Sequence, residues 1–187
     1  ISPNVHIIVR PIKRNLFEVL KEKRWNYDII FQDEINDFDD FKANSRILIM
    51  PICGTINLSH AIPYFSISAS VQRKNSSGEF ETICGIIDSP TTNETFLVEK
   101  NKGAYINDRR IRVSNRNKLD DSIVAIRNTN NKKFMVDCIE KYKNIMVTNC
   151  DILNICYVSC GKYDINILEK TNYFLDLPIL LFREAGG

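Results

Sequence analysis

The chain has 187 residues, of which 44% are hydrophobic and 26% are charged, with a formal net charge of +2. These values are typical of a globular protein with one large domain or two small ones. The net charge is too small to indicate nucleic acid or a membrane as partner. No apolar run is long enough to span a bilayer, and residues 1–15 lack the order of a secretory signal peptide.

The number and spacing of the cysteines indicate the cellular compartment of the protein. Six cysteines are present, none of them in a C-x-x-C pair, and neither of the two histidines stands at a zinc-type spacing from a cysteine pair. We therefore expect free thiols that pack as small hydrophobic side chains in a reducing cytoplasm.

The first part of the chain, residues 1–118, is predicted to be an α+β domain with an antiparallel sheet. Pro11 interrupts an early helical pattern, and an acidic segment, 32–45, separates the first two strands. The strand 46–50 is continuously apolar, which indicates burial on both faces. The predicted elements are a helix at 15–24, strands at 27–31, 46–50, 64–74, 80–89 and 94–100, and a tight hairpin at 104–114.

The second part, residues 119–187, is predicted to be a partial α/β domain with the order β-α-α-β-α. Gly161 is well placed to end the second of its helices. The predicted elements are strands at 122–128 and 165–169 and helices at 131–143, 149–164 and 174–187.

Four segments in order resemble one known family. The segment MPICGTINLSHAIPYFSISASV resembles the D-P-[IL]-D-G-T-T-N-F-x-H-G-x-P-x-F-x-V-S-I motif of the inositol monophosphatase family. The segments EKNKGAYINDRRIRVS, LNICYVSCGKYD and LLFREAGG resemble its later motifs, and SPNVHIIVR is similar to the start of SuhB-type bacterial members. The resemblance implies a layered αβαβα fold and Mg²⁺-dependent hydrolysis of a phosphate monoester, typically an inositol phosphate.

The positions that correspond to the family's metal ligands hold a mixture of oxygen-bearing and sulfur-bearing residues in this chain. The family's Glu-Glu pair corresponds to Asp33 and Glu34, and the backbone carbonyl of Ile52 corresponds to a further ligand. The two aspartates of its D-P-x-D motif correspond to Met50 and Cys53. Mg²⁺ requires oxygen ligands, whereas a thioether or a thiolate suits softer ions. We therefore expect Mg²⁺ binding to be greatly weakened.

The turn after this strand is kept. Gly54 and Thr55 match the family's Gly-Thr, which implies phosphate binding by the backbone of both residues and orientation of the attacking water by Thr55. Such a turn also favours glycine for purely conformational reasons. Cys53 as a catalytic nucleophile is disfavoured, because Ser59 stands where a C-x₅-R phosphatase loop needs arginine.

The remaining parts of the family's site also depart from its pattern. The family's last metal ligand corresponds to Phe174, and Asp176, two residues on, is expected to face away because two helical positions turn by about 200°. Near the family's substrate, Asn149 and Cys150 replace small residues, and Asn154 replaces an aspartate. The family's D-x-V-[ST]-x-x-D segment is absent, which predicts a deletion in the first domain. The sequence stops at Gly187, where the resemblance implies further strands and a helix, so we expect a second domain incomplete at its C-terminus.

Two hypotheses follow from these departures. The first is a family member whose metal site is lost and whose hydrolysis is weak or absent, either as a transcription-associated regulatory module or as the product of a decaying gene. The second is a residual Mg²⁺-dependent inositol-phosphate phosphatase that uses Asp33, Glu34 and a rearranged Asp176. An incomplete second sheet leaves an open edge, so we expect either marginal folding or a homodimer that covers this edge.

Overall fold

The computed structural model of the chain describes residues 9–15, 18–19, 27–32, 43–127, 129–168 and 175–187. Residues 9–15 are helical, so Pro11 does not interrupt the helix at that point. Within the described part of the chain, no helix has both the length and the apolar character needed to cross a membrane.

A seven-stranded sheet forms the first half, and its strands lie side by side in chain order. The first two strands are parallel and every later pair is antiparallel, so the predicted meander is confirmed. Its strands are β1 (Asp28–Phe31), β2 (Ser45–Cys53), β3 (Ser66–Lys74), β4 (Phe80–Ser89), β5 (Glu94–Glu99), β6 (Gly103–Ile106) and β7 (Arg109–Arg110). A five-residue helix, α1 (Thr55–Ser59), follows β2. The last hairpin turns at Asn107 and Asp108, which both have positive φ, as tight two-residue β-hairpins require.

The second half has one strand more than the sequence pattern predicts. Its elements are β8 (Ile123–Arg127), α2 (Lys132–Lys141), β9 (Asn144–Thr148), α3 (Asp151–Ser159), β10 (Ile165–Ile167) and α4 (Asp176–Glu184). The predicted order β-α-α-β-α is therefore wrong, because residues 144–148 form a strand between the two helices. The three strands form a parallel sheet in the order β10-β8-β9, and the added strand is a largely exposed edge with little apolar periodicity.

The elements stack in five layers, which confirms the predicted layered αβαβα fold. The helical residues at 9–15 pack with Val9 against Ile52 on the outer face of the seven-stranded sheet. The inner face meets α3 and α4, and these helices share one core with both sheets. Helix α2 covers the far side of the small sheet, where Cys138 packs with Val124 and Ile126.

A glycine lets α4 approach the large sheet closely. A Cβ atom on Gly85 would lie 2.5 Å from Cδ1 of Leu177 and 2.7 Å from the carbonyl oxygen of Ala69. Any larger side chain at this position of β4 would therefore push the helix away from the sheet.

Glu184, the last residue of α4, joins this helix to the hairpin between β5 and β6 by hydrogen bonds. Its two carboxylate oxygens accept hydrogen bonds from the backbone N–H groups of Asn101 at 2.7 Å and Gly103 at 2.9 Å. Next to it, the backbone N–H of Val113 donates to the carbonyl oxygen of Ala185 at 3.2 Å. The Arg112 guanidinium also donates to the carbonyl oxygen of Glu184 at 3.1 Å, so the REAGG segment joins the two halves of the molecule through one carboxylate and two backbone carbonyl oxygens.

We expect Glu184→Ala to lower the free energy of unfolding by about 2–3 kcal/mol, because two charge-assisted hydrogen bonds are lost together. Glu184→Gln should cost less, since one acceptor oxygen remains. Urea denaturation monitored by circular dichroism measures both effects. Glu140→Ala on the exposed face of α2 is the control. Equal stability of the Glu184→Ala and Glu140→Ala variants would contradict this role.

Candidate functional site

The candidate site lies where β2 ends and its chain turns into α1. The pairing of β2 with β3 is irregular between Met50 and Cys53, and Pro51 lies within this irregularity, where a proline is tolerated in a central strand. Gly54 follows with φ of +94°, and a Cβ atom there would lie 2.9 Å from the carbonyl oxygen of Tyr64. Positive φ and close backbone approach both require glycine at this turn.

The side chains of Met50 and Cys53 are part of the hydrophobic core. Their relative exposures are 9% and 7%, and they share one cluster with residues of α3 and α4, among them Leu153 and Leu177. Residues 46–53 are buried throughout, which confirms the prediction that this strand is covered on both faces. At the two positions where the family motif has carboxylates, this chain has packed, apolar side chains.

The thiol of Cys53 is held in its neutral form. A hydrogen bond with the Cys150 thiol, together with burial, raises the pKa of Cys53 well above its ordinary value. The Cys150 thiol in turn donates to the backbone carbonyl oxygen of Cys53 at 3.4 Å. Since the thiolate is the form that attacks electrophiles and binds metals, the environment of Cys53 opposes both activities.

A chain of polar contacts joins the turn after β2 to the start of α3. Asn57 donates through Nδ2 to the carbonyl oxygen of Tyr64 at 2.7 Å, and its Oδ1 accepts from Nδ2 of Asn149 at 3.4 Å. The Tyr64 hydroxyl donates to Oδ1 of Asn154 at 2.8 Å, and the Thr148 hydroxyl donates to the same oxygen at 2.8 Å. Because Asn57 and Asn154 are buried, these bonds satisfy both polar atoms of the Asn57 side chain and Oδ1 of Asn154, while Nδ2 of Asn154 makes no hydrogen bond within the described residues.

An ion pair lies at the N-terminus of α3. Oδ2 of Asp151 is 3.2 Å from a guanidinium nitrogen of Arg127, and the two side chains are 2% and 33% exposed. Burial raises the pKa of Asp151, while the charge of Arg127 acts in the opposite direction. Neither residue is among the site residues that the sequence pattern predicts. The sequence signal that could have identified them is their place in the pattern. Arg127 ends a buried strand, and Asp151 begins the helix that follows the next strand.

The other predicted site residues do not all lie together, and some lie outside the described part of the chain. Asp33, Glu34 and Phe174 lie outside the described residues. Thr55 is half-buried as the first residue of α1, and Ile52 is buried at the bulge. Asp176 is exposed, but it borders a cavity of about 10 Å³ that Met50 and Gln32 also line. It therefore lies on the same side of the sheet as Met50.

Comparison with known proteins agrees with this architecture. The model of the inositol monophosphatase family matches residues 5–187. The chain is 29% identical over 190 residues to inositol-1-monophosphatase of Rhizobium meliloti, covering 95% of this chain and 68% of the relative. It is 26% identical over 182 residues to Nus factor SuhB of Pasteurella multocida, covering 92% of this chain and 66% of the relative. The solved structure of a Thermotoga maritima IMPase superposes with a TM-score of 0.82 at 27% identity, covering 95% of this chain and 68% of that one.

The fold and the strand-to-turn site thus define a phosphatase-type class of protein. The chain belongs to the inositol monophosphatase family. It spans about two thirds of the length of the two curated relatives given above.

We expect Met50→Asp to lower the free energy of unfolding by more than about 3 kcal/mol, because a carboxylate without a counter-charge would be buried in the core. Met50→Leu conserves volume and should cost less than about 1.5 kcal/mol. Denaturant unfolding with and without Mg²⁺ compares the two variants. If Met50→Asp were as stable as Met50→Leu and gained stability from Mg²⁺, the position would still have the geometry of a metal site.

Proposed function

We propose that this chain is an inositol monophosphatase-family protein of the SuhB type whose Mg²⁺ site is lost and whose phosphate monoester hydrolysis is weak or absent. The observation that carries the proposal is the burial of Met50 and Cys53 in the core that joins the two sheets. These positions hold the motif's aspartates in the family.

The chemistry of the donor atoms supports the proposal. Mg²⁺ is a compact, hard cation that binds carboxylate, carbonyl and water oxygens in octahedral geometry. Met50 offers a thioether and Cys53 a neutral thiol, and neither is a ligand for Mg²⁺. The residues described at these two positions therefore do not fit this ion.

The retained turn has an explanation that does not need catalysis. Gly54 and Asn57 set the path of the chain so that Tyr64 reaches Asn154 on α3. We propose that Gly54 and Thr55 keep the geometry of the family's phosphate loop, with the backbone N–H groups as phosphate contacts and Thr55 as the residue that would orient water. Among the proposed metal ligands, the oxygen atoms of Asp33, Glu34 and Ile52 are the ones this chain keeps.

A residual phosphatase is the alternative within the same class. The observation that favours it is the location of Asp176 beside the cavity lined by Met50. A carboxylate there could compensate in part for the ligand replaced at Phe174.

Purified protein should release no EDTA-sensitive phosphate from inositol 1-phosphate in the presence of Mg²⁺, and its melting temperature should not rise with Mg²⁺. The reason is that the carboxylates needed to hold the ion are replaced at two positions. The Rhizobium meliloti relative, assayed in parallel, is the positive control. Clear turnover that EDTA and Asp33→Ala both abolish would refute the proposal and support the residual phosphatase.

A second candidate function comes from the relatives named Nus factor SuhB. The Pasteurella multocida relative is a Nus factor, and its similarity covers 92% of this chain. A protein that keeps the fold while losing the metal ligands fits a binding role of this kind. We propose a non-catalytic, transcription-associated module as the function that remains.

Tagged protein expressed from its own gene should co-purify with RNA polymerase or with antitermination factors. Quantitative mass spectrometry of the eluate, against a tag-only strain, measures this association. Met50→Leu, which preserves the core, should retain the partners. Recovery at the level of the tag-only strain would contradict the transcription role and favour a gene without a selected function.

A further inference from the structure

The outer face of the large sheet carries a row of apolar side chains that crosses five strands. Strand register places Ile49, Ala69, Ile86, Leu97 and Tyr105 side by side on β2 to β6. Because neighbouring strands lie about 4.8 Å apart, this row is about 20 Å long. It lines an open cavity of about 810 Å³, which we call the outer trough.

The strands beneath the outer trough are apolar on both faces. An antiparallel sheet with one face in water alternates apolar residues inside with polar residues outside. On β4 and β5, however, the buried Ile87 and Val98 alternate with Ile86 and Leu97, which are 38% and 37% exposed. This pattern is typical of a sheet that is covered on both sides.

Within the described part of the chain, the outer trough is covered at its β2 end alone. There Ile49 packs with Phe31 of β1, and the helical residues at 9–15 reach Ile52. From β3 to β6, the described lining comes from the strands themselves and from Lys102 in the turn between β5 and β6. A contiguous apolar face bordered by polar side chains is the usual composition of a protein interaction site.

The two long sides of the outer trough differ in charge. On one side of the row, burial raises the pKa of the Cys84 thiol, and the charges of Glu99, Arg73 and Lys102 also act on this thiol. These three charged residues therefore lie on the same side, where they leave a net positive charge. On the other side, two residues beyond the row on β4, stands the carboxylate of Asp88.

We propose that the outer trough is the surface on which a second copy of this chain docks, with the two large sheets packed face to face. A two-fold axis parallel to the apolar row brings the two rows together and places each side of the trough over the opposite side of the partner. Asp88 then lies over the basic side of the partner, within reach of Lys102 of the partner subunit. The trough is thus self-complementary in charge as well as apolar.

The size of this surface predicts a weak dimer. Three rows of outward side chains, about 7 Å apart, make a footprint of about 20 Å by about 14 Å. Standard interfaces bury roughly 800 Å² per partner, so we expect association in the micromolar range or weaker. The inference does not rest on the state of the metal site, because Met50 faces the core on the inner side of the sheet.

The experiment measures the dimer dissociation constant of wild type and Leu97→Asp by sedimentation across the micromolar range. A carboxylate in the apolar row should raise this constant at least tenfold, which is about 1.4 kcal/mol, because two of them would be desolvated in each dimer. Ile139→Asp makes the same kind of change on α2, where Ile139 is 61% exposed, and should leave the constant unchanged.

A charge exchange tests the orientation of the two copies. Lys102→Asp and Asp88→Lys should each weaken the dimer, and the double variant should recover most of the lost affinity, because opposite charges then meet again across the interface. Loss of the contact between Lys102 and Glu99 within one copy would not be restored by the change at Asp88. Thermal melts establish that each variant is folded.

The inference is overturned if wild type stays monomeric throughout this range, if folded Leu97→Asp associates as strongly as wild type, or if the double variant shows no recovery. A measurement on wild type alone covers the case in which the variants do not fold. Raising the protein concentration should shift the amide NMR signals of residues 84–88 and 95–99. Shifts confined to β9 or β10 would instead place the contact at an edge of the small sheet and refute the proposal.

Discussion

The complete burial of α3 is the constraint on which the rest of the structure depends. All nine of its residues are buried between the two sheets, including Asp151, Asn154 and Ser159. A polar group at this depth needs a partner from the protein, since water does not reach it. Arg127, Thr148 and Tyr64 supply partners from β8, from β9 and from the segment after α1. The helix therefore fixes the positions of elements far apart in the chain.

The same constraint explains why the turn after β2 is kept although the motif's aspartates are not. Tyr64 reaches Asn154 only because the chain reverses at Gly54 and Asn57 holds the Tyr64 carbonyl oxygen. Met50 and Cys53, by contrast, face the core that α3 shares with the large sheet, where apolar atoms are favoured. Gly54 and Asn57 thus have a structural role in the path of the backbone, and Met50 and Cys53 contribute packing to the core.

Strong local signals made much of this architecture predictable. The apolar run ending at Met50, the hairpin at Asn107 and Asp108, and the start of the meander all follow from periodicity and turn chemistry. Strand β9 was missed because its residues are mostly exposed at a sheet edge, so its identity depends on pairing with β8. The ion pair of Arg127 and Asp151 was missed for a related reason, since the two residues meet only when β8 and α3 pack together.

The sequence by itself determined the family and the layered fold, because those depend on residue types and their order along the chain. Only the tertiary structure decided the surroundings of Met50 and Cys53. Burial of Met50 and Cys53 and the raised pKa of Cys53 arise from neighbours on α3 and α4, about a hundred residues later. Burial and charge environment are properties of the packed molecule, so a pattern of residue types cannot fix them in advance.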